Sequence, residues 1–150
     1  GSEFDISTNL AAIETPLPQD ILDLDKRCFG FSRPEFLIAW VNQPDSLSFQ
    51  FRDSIGLRGF ATMRRTKAGH KIGPLFAEDF AVAEALYQGC LNAAVNELVF
   101  LDIPTSNSAA IDLIKKHEAE YVFECARMYY GEAPDIATDQ VFGITTFELG

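Results

Sequence analysis

Leu98-Val99-Phe100-Leu101 is an unbroken apolar run with no polar alternation. A half-exposed strand alternates polar and apolar residues; an unbroken apolar run suits a strand covered on both faces. The segment 97–103 is far shorter than the ~20 apolar residues of a membrane span. Helical patterns stand on either side of it. Upstream, Asp79 can cap a helix over residues 80–94, with Val82, Ala83, Leu86, Cys90 and Leu91 in one apolar stripe. Downstream, Pro104-Thr105-Ser106-Asn107 turns the chain into a helix through His117. Helix, covered strand and helix in succession imply parallel pairing, right-handed crossovers and helices on both faces of a sheet.

The remaining segments extend this plan. Residues 9–14 form a short strand that Thr15-Pro16-Leu17-Pro18 ends, because proline cannot continue a ladder. Residues 19–29 read as a helix with Ile21, Leu22, Leu24 and Cys28 near one face, stopped by Gly30. Ser32 with Glu35 has the spacing of a capping box for a helix over 33–42 that buries Phe36, Leu37, Trp40 and Val41. Residues 47–52, 55–65 and 71–76 are strand-like. Gly56 and Gly59 fall inside the second, and Lys67-Ala68-Gly69 supplies the following turn. Strands over 121–130 and 141–149 close the chain. The order is β-α-α-β-β-β-α-β-α-β-β, an α/β fold with a central mixed sheet.

The chain has 150 residues, suited to one domain. Its 12 basic and 22 acidic side chains give a formal charge of −10. That argues against a whole surface gripping a phosphate backbone, and a negative field favours cationic ligands. From Glu97 onward there are three basic and ten acidic residues. Cys28, Cys90 and Cys125 are widely spaced, and with only two histidines no zinc spacing exists. They read as reduced thiols of an intracellular, cytoplasmic protein. Residues 1–4, Gly-Ser-Glu-Phe, look like a cloning remnant, which makes 5–150 one domain cut from a longer chain.

The order of elements resembles the GNAT superfamily of acetyl-CoA-dependent N-acetyltransferases. Three stretches carry the resemblance. Lys71-Ile72-Gly73-Pro74-Leu75-Phe76 places glycine and a donorless proline inside a strand, where a bulge is expected. The family's fourth strand is bulged and parts from the fifth, with the pantetheine of coenzyme A in the gap. Asn107-Ser108-Ala109-Ala110-Ile111-Asp112-Leu113 is similar to the family's N-x-x-A-x-x-L helix start, although Asn is also a common helix cap. The ending 123–129 with 141–150, taken with Arg33-x-Glu35-Phe36-Leu37-x-x-Trp40, is similar to a subgroup in which this module is often the C-terminal of two GNAT-like halves. A sister domain is then an implied partner. The resemblance implies acetyl-CoA contacts at Ile72, Gly73, Leu75, Phe76, Asp79, Phe80, Ala81, Asn107 and Ala110. The backbone N–H groups of Leu75 or Phe76 could polarise the thioester carbonyl.

The chain departs from the family in two places. The family's Q/R-x-x-G-x-G/A loop wraps the pyrophosphate with backbone N–H groups. Here Ala77-Glu78-Asp79-Phe80-Ala81 has no glycine or basic residue, and two carboxylates stand where phosphate would sit. The family's frequent tyrosine acid is matched by Ile114, and the following Gly-aromatic pair by Glu118-Ala119. Direct attack by an amine needs a base, and Asp102, Glu124 and then His70 are the candidates in that order. Tyr129, Tyr130 or Tyr121 would supply an acid.

Three functions compete. The first is acetyl transfer from acetyl-CoA to an amine, on a small molecule or a peptide. The second is a non-catalytic GNAT-like module packed on a partner. The third is nucleic-acid binding through residues 52–71, which hold six basic residues and one acidic. It ranks last because only Phe60 could interleave as a stacking aromatic. No membrane role is expected.

Overall fold

The computed structural model describes residues 9–14, 16–67, 69–94, 98–101, 103, 107–116 and 140–143. In chain order the elements are β1 (Leu10–Ala12), α1 (Gln19–Phe29), α2 (Pro34–Val41), β2 (Ser46–Arg52), β3 (Leu57–Thr66), β4 (Gly69–Ala77), α3 (Phe80–Ala93), β5 (Val99–Leu101), α4 (Ser108–Lys116) and β6 (Val141–Gly143). The sheet runs β1-β2-β3-β4-β5, with β6 also on β4. Pairing is antiparallel except between β4 and β5. The expected mixed sheet is therefore present. The strand expected over 121–130 lies outside the described residues, as does the rest of 141–149.

Alternation along the central strands divides the core between two faces. Ala61, Met63, Ile72 and Leu75 meet α3 and α4 through Val82, Leu86, Cys90, Ala110 and Leu113. Phe60 and Phe76 point the other way, to Ile21, Leu24 and Cys28 of α1 and Leu37 of α2. Helices thus cover both faces, as the apolar patterns require.

Some local expectations are corrected. Arg33, not Ser32, is the N-cap of α2, no side chain caps it, and Pro34 takes the first helical position. Proline suits that position because the first-turn N–H would have no helical partner. Arg33 instead sends its guanidinium back to Asp25 of α1, with Nε–Oδ2 and Nη2–Oδ1 both 2.8 Å. The two side chains are 9% and 2% exposed. Burial pushes the Asp25 carboxyl up, against the downward pull of Arg33. Only Leu37 of α2 is fully buried; Phe36, Trp40 and Val41 are not. Gly56 belongs to the β2–β3 turn, where it adopts φ +142° and exchanges backbone hydrogen bonds with Asp53. Val99, Phe100 and Leu101 are half-buried and Leu98 is 64% exposed. Among the described residues only β4 pairs with β5, so the full cover expected for this strand is not seen.

Cys90 shows what the α3 core imposes on a thiol. It is fully buried among apolar neighbours, which pushes its pKa to about 12. A raised value means the folded state resists ionisation: its contribution to stability is complete below about pH 9 and lost as pH rises toward 12. Native Cys90 should therefore resist iodoacetamide at about pH 8 and react once the chain unfolds, as mass spectrometry of alkylated peptides would read.

Candidate functional site

The site begins at a register slip in the middle of the sheet. Ala61 pairs with Leu75 and Met63 with Ile72, so Gly73 and Pro74 of β4 together oppose Thr62. This is a β-bulge, with the extra residue on β4. Across the other edge, β4 pairs with β5 only from His70 to Ile72. The strands part where the Gly-Pro step begins. Trp40 fastens the bulge from α2, donating its indole N–H to the Gly73 carbonyl at 2.8 Å. Phe36 stacks on that indole at 5.2 Å, and the Arg64 guanidinium lies 5.1 Å from it.

Beyond the divergence, the edge of β4 is taken by β6. Leu75 pairs with Gly143 and Phe76 with Val141, antiparallel. All three residues of β6 are buried. Phe142 enters the α3–α4 core and Val141 the α1–α2 core. Gly143 fits because it lacks a side chain: a Cβ there would lie 2.6 Å from Leu101 Cδ1 and 2.9 Å from Leu75 Cβ.

Asn107 joins this strand to α4. Its Oδ1 accepts from the Ala109 and Ala110 N–H groups at 3.0 and 3.2 Å, the cap geometry anticipated for asparagine. Its Nδ2 donates to the Val141 carbonyl at 3.0 Å. Asn107 is 4% exposed and Ala110 fully buried.

The C-terminal end of β4 leads into α3. Asp79 caps that helix, accepting from the Val82 N–H at 3.0 Å. Phe80 and Ala81 form the first turn, the former half-buried and the latter exposed. Arg58 enters from β3 and sits among carboxylates, with Nη1 3.2 Å from Asp53, Nε 3.1 Å from Glu78 and Nη2 3.8 Å from Asp79. The Nε contact is an ion pair without hydrogen-bond alignment. Arg27 of α1 also reaches Glu78, at 3.6 Å. Two guanidinium groups thus face three carboxylates, an arrangement that still disfavours an anion. The double change Glu78→Gln with Asp79→Asn removes two charges, and the introduced asparagine side chain can still cap α3. At ~0.3–1 kcal/mol for each charge at a helix N-terminus, affinity for an anion at the start of α3 should rise about 3- to 30-fold by calorimetry with inorganic pyrophosphate.

Ile72, Gly73, Leu75 and Phe76 follow one another along β4 through the bulge; Asn107 meets the same stretch through Val141, Ala110 packs in the cluster of Leu75 and Phe142, and Asp79, Phe80 and Ala81 open α3 just past the end of β4. Asp102, Glu124 and Tyr129 lie outside the described residues. His70 stands at the hairpin end of β4, paired with Val99. With β6 seated, these residues do not fit a pantetheine arm, because the β4 edge and the Asn107 amide are both engaged by Val141–Gly143. Arg27 and Arg58 escaped the sequence reading of the acidic loop, since they reach it from other elements. Trp40 was legible as an aromatic of α2, and nothing local marked its hydrogen bond to Gly73. Among the described residues no cluster could hold a metal ion, and no helix is long and apolar enough to cross a membrane.

Residues 21–143 match the family described as an acetyltransferase (GNAT) domain. The chain is 28% identical over 132 residues to the holothin acyltransferase of Pseudoalteromonas sp. (strain SANK 73390), covering 87% of this chain and 45% of that protein. It also resembles the crystal structure of a proposed acetyltransferase from Pyrococcus horikoshii, at 26% identity and a TM-score of 0.76, over 95% of this chain and 46% of that one. The chain therefore spans about half the length of each.

Proposed function

The chain belongs to the acetyltransferase (GNAT) domain family, and on that premise we propose that it serves transfer of an acetyl group from acetyl-CoA to an amine. The observation that carries this reading is the parting of β4 from β5 at the Gly73-Pro74 bulge, with Asn107 at the head of α4 beside it. The described bulge and helix start fall on the two motifs that the family shares. The acceptor is a neutral amine on a small molecule or peptide, attacking directly with help from a base. Asp102 and Glu124 are the proposed bases and Tyr129 the proposed acid. The negative charge of the C-terminal part suits an approaching ammonium before it loses its proton.

A second reading has its own observation. The seated β6 and the carboxylates at the start of α3 favour a half that does not bind coenzyme A and packs on a sister domain. Thiol release from acetyl-CoA, followed with a chromogenic disulfide over a panel of amines, separates the two. Amine-dependent release supports transfer. Its absence for every amine, together with no heat on titrating millimolar acetyl-CoA, rejects transfer by this domain.

A further inference from the structure

We infer that Arg64 of β3, with Lys71 of β4 directly opposite it, forms a carboxylate-binding site on the α2 face of the sheet. Ion pairing sets Arg64 apart from other arginines. Arg27 meets Glu78, Arg33 meets Asp25, Arg52 meets Asp20, and Arg58 meets Asp53, Glu78 and Asp79. Among the described residues no carboxylate pairs with Arg64, in a chain of 22 acidic and 12 basic side chains. Its guanidinium lies instead 5.1 Å from the ring of Trp40. A guanidinium over an aromatic face keeps its N–H fork in its own plane, where a planar anion can meet it.

The neighbours place a second cation beside it. Strand alternation puts Phe60, Thr62 and Arg64 on one face of β3, and Phe60 packs toward α1 and α2. Arg64 is paired with Ser46 on one side and Lys71 on the other, so all three side chains share that face. The Ser46 hydroxyl donates to the Gln43 carbonyl at 2.7 Å, and Asp45 before it accepts from the Arg65 N–H through its backbone carbonyl. Like charges directly opposite each other repel, and a carboxylate between them replaces that repulsion with two attractions. The fork of Arg64 matches the two oxygens of a carboxylate, and Lys71 adds a point charge. Trp40 is a fixed platform, tied to the Gly73 carbonyl through its N–H and stacked with Phe36 at 5.2 Å. Holding the donors in place before a ligand arrives lowers the ordering cost of binding. Lys71 stands two residues before Gly73, so a carboxylate held here lies beside the bulge.

Calorimetric titration of the full chain with N-acetylglycine and N-acetylleucine, each beside its neutral amide, tests the site without any coenzyme. Each carboxylate should bind at least about tenfold more tightly than its amide, as hydrogen bonds to a charged group allow. Arg64→Gln should abolish that difference, and Lys71→Gln should reduce it. Arg65→Gln removes the same charge from the opposite face of β3 and should leave the difference in place. Thermal transitions matching that of the unmodified chain verify that each variant is folded. Equal binding of acid and amide by the unmodified chain overturns the inference. So does a folded Arg64→Gln that keeps the difference, or a folded Arg65→Gln that loses it. Inorganic phosphate binding where neither acid binds also overturns it, because the site then takes a different anion. None of these probes is a thioester or an acceptor amine, so their failure leaves the acetyl-transfer reading standing, and the thiol-release assay tests that reading separately.

Discussion

Arg33→Ala should lower the unfolding free energy by about 3–5 kcal/mol, the range for stranding one member of a buried ion pair. The substitution leaves the Asp25 carboxylate, 2% exposed, without the fork that holds both of its oxygens. It also removes a guanidinium stacked 3.7 Å from the Phe29 ring and 4.9 Å from that of Phe36. The loss concerns one partner only. The double change Arg33→Met with Asp25→Leu should return most of the stability, since apolar replacements of a buried pair are often neutral. Urea unfolding of both variants checks this. The single variant should also respond to acid. Burial already raises the Asp25 carboxyl, and losing its cation raises it further. A raised folded-state value favours the protonated form, so the defect should shrink as pH falls and deepen as pH rises through that value. An Arg33→Ala defect that is flat with pH would contradict this account.

Asn107→Ala should cost about 2–4 kcal/mol, the sum of two losses. One part is the cap to Ala109 and Ala110, typically ~1 kcal/mol. The other is the Val141 carbonyl, left buried without its side-chain donor, at ~1–3 kcal/mol. Asn107→Ser separates the two parts. Its hydroxyl can still cap α4 but is too short to serve Val141 as well, so it should recover the cap share alone. Full recovery by serine would mean that the bond to β6 contributes nothing. Hydrogen exchange at Leu75 and Phe76 offers a second readout, because their protection should fall as β6 loosens.

The sequence carried the fold wherever a local signal had one physical meaning. Pro18 and Gly30 bounded α1, and Asp79 capped α3, because those residues act on the backbone beside them. Gly73-Pro74 marked the bulge for the same reason. Signals with a competing partner misled. Ser32 had cap spacing with Glu35, but Pro34 suited the first helical position and Arg33 found a buried carboxylate on another helix. Gly56 looked like a strand residue until Asp53 claimed it for a turn. The β4 bulge and the start of α4 were legible as motifs, whereas the strand that pairs beside them was not. Nothing in Val141-Phe142-Gly143 says which edge it will pair with, since a short apolar strand fits any free ladder. Arg58 and Arg27 were hidden likewise: charge read along the chain does not tell which distant carboxylates a guanidinium will meet.

The chain contains a single tryptophan, and its indole N–H ends on the Gly73 carbonyl. That makes the protein its own optical probe of the bulge. Indole emission depends on polarity and hydrogen bonding at the ring, so any event that shifts Gly73 or exposes Trp40 is written into one unmixed fluorescence signal. Arg64 beside the ring adds a nearby charge to which emission responds. Displacement of the bulge and melting of α2 can thus be timed in the unlabelled protein, with Trp40→Phe as the dark control.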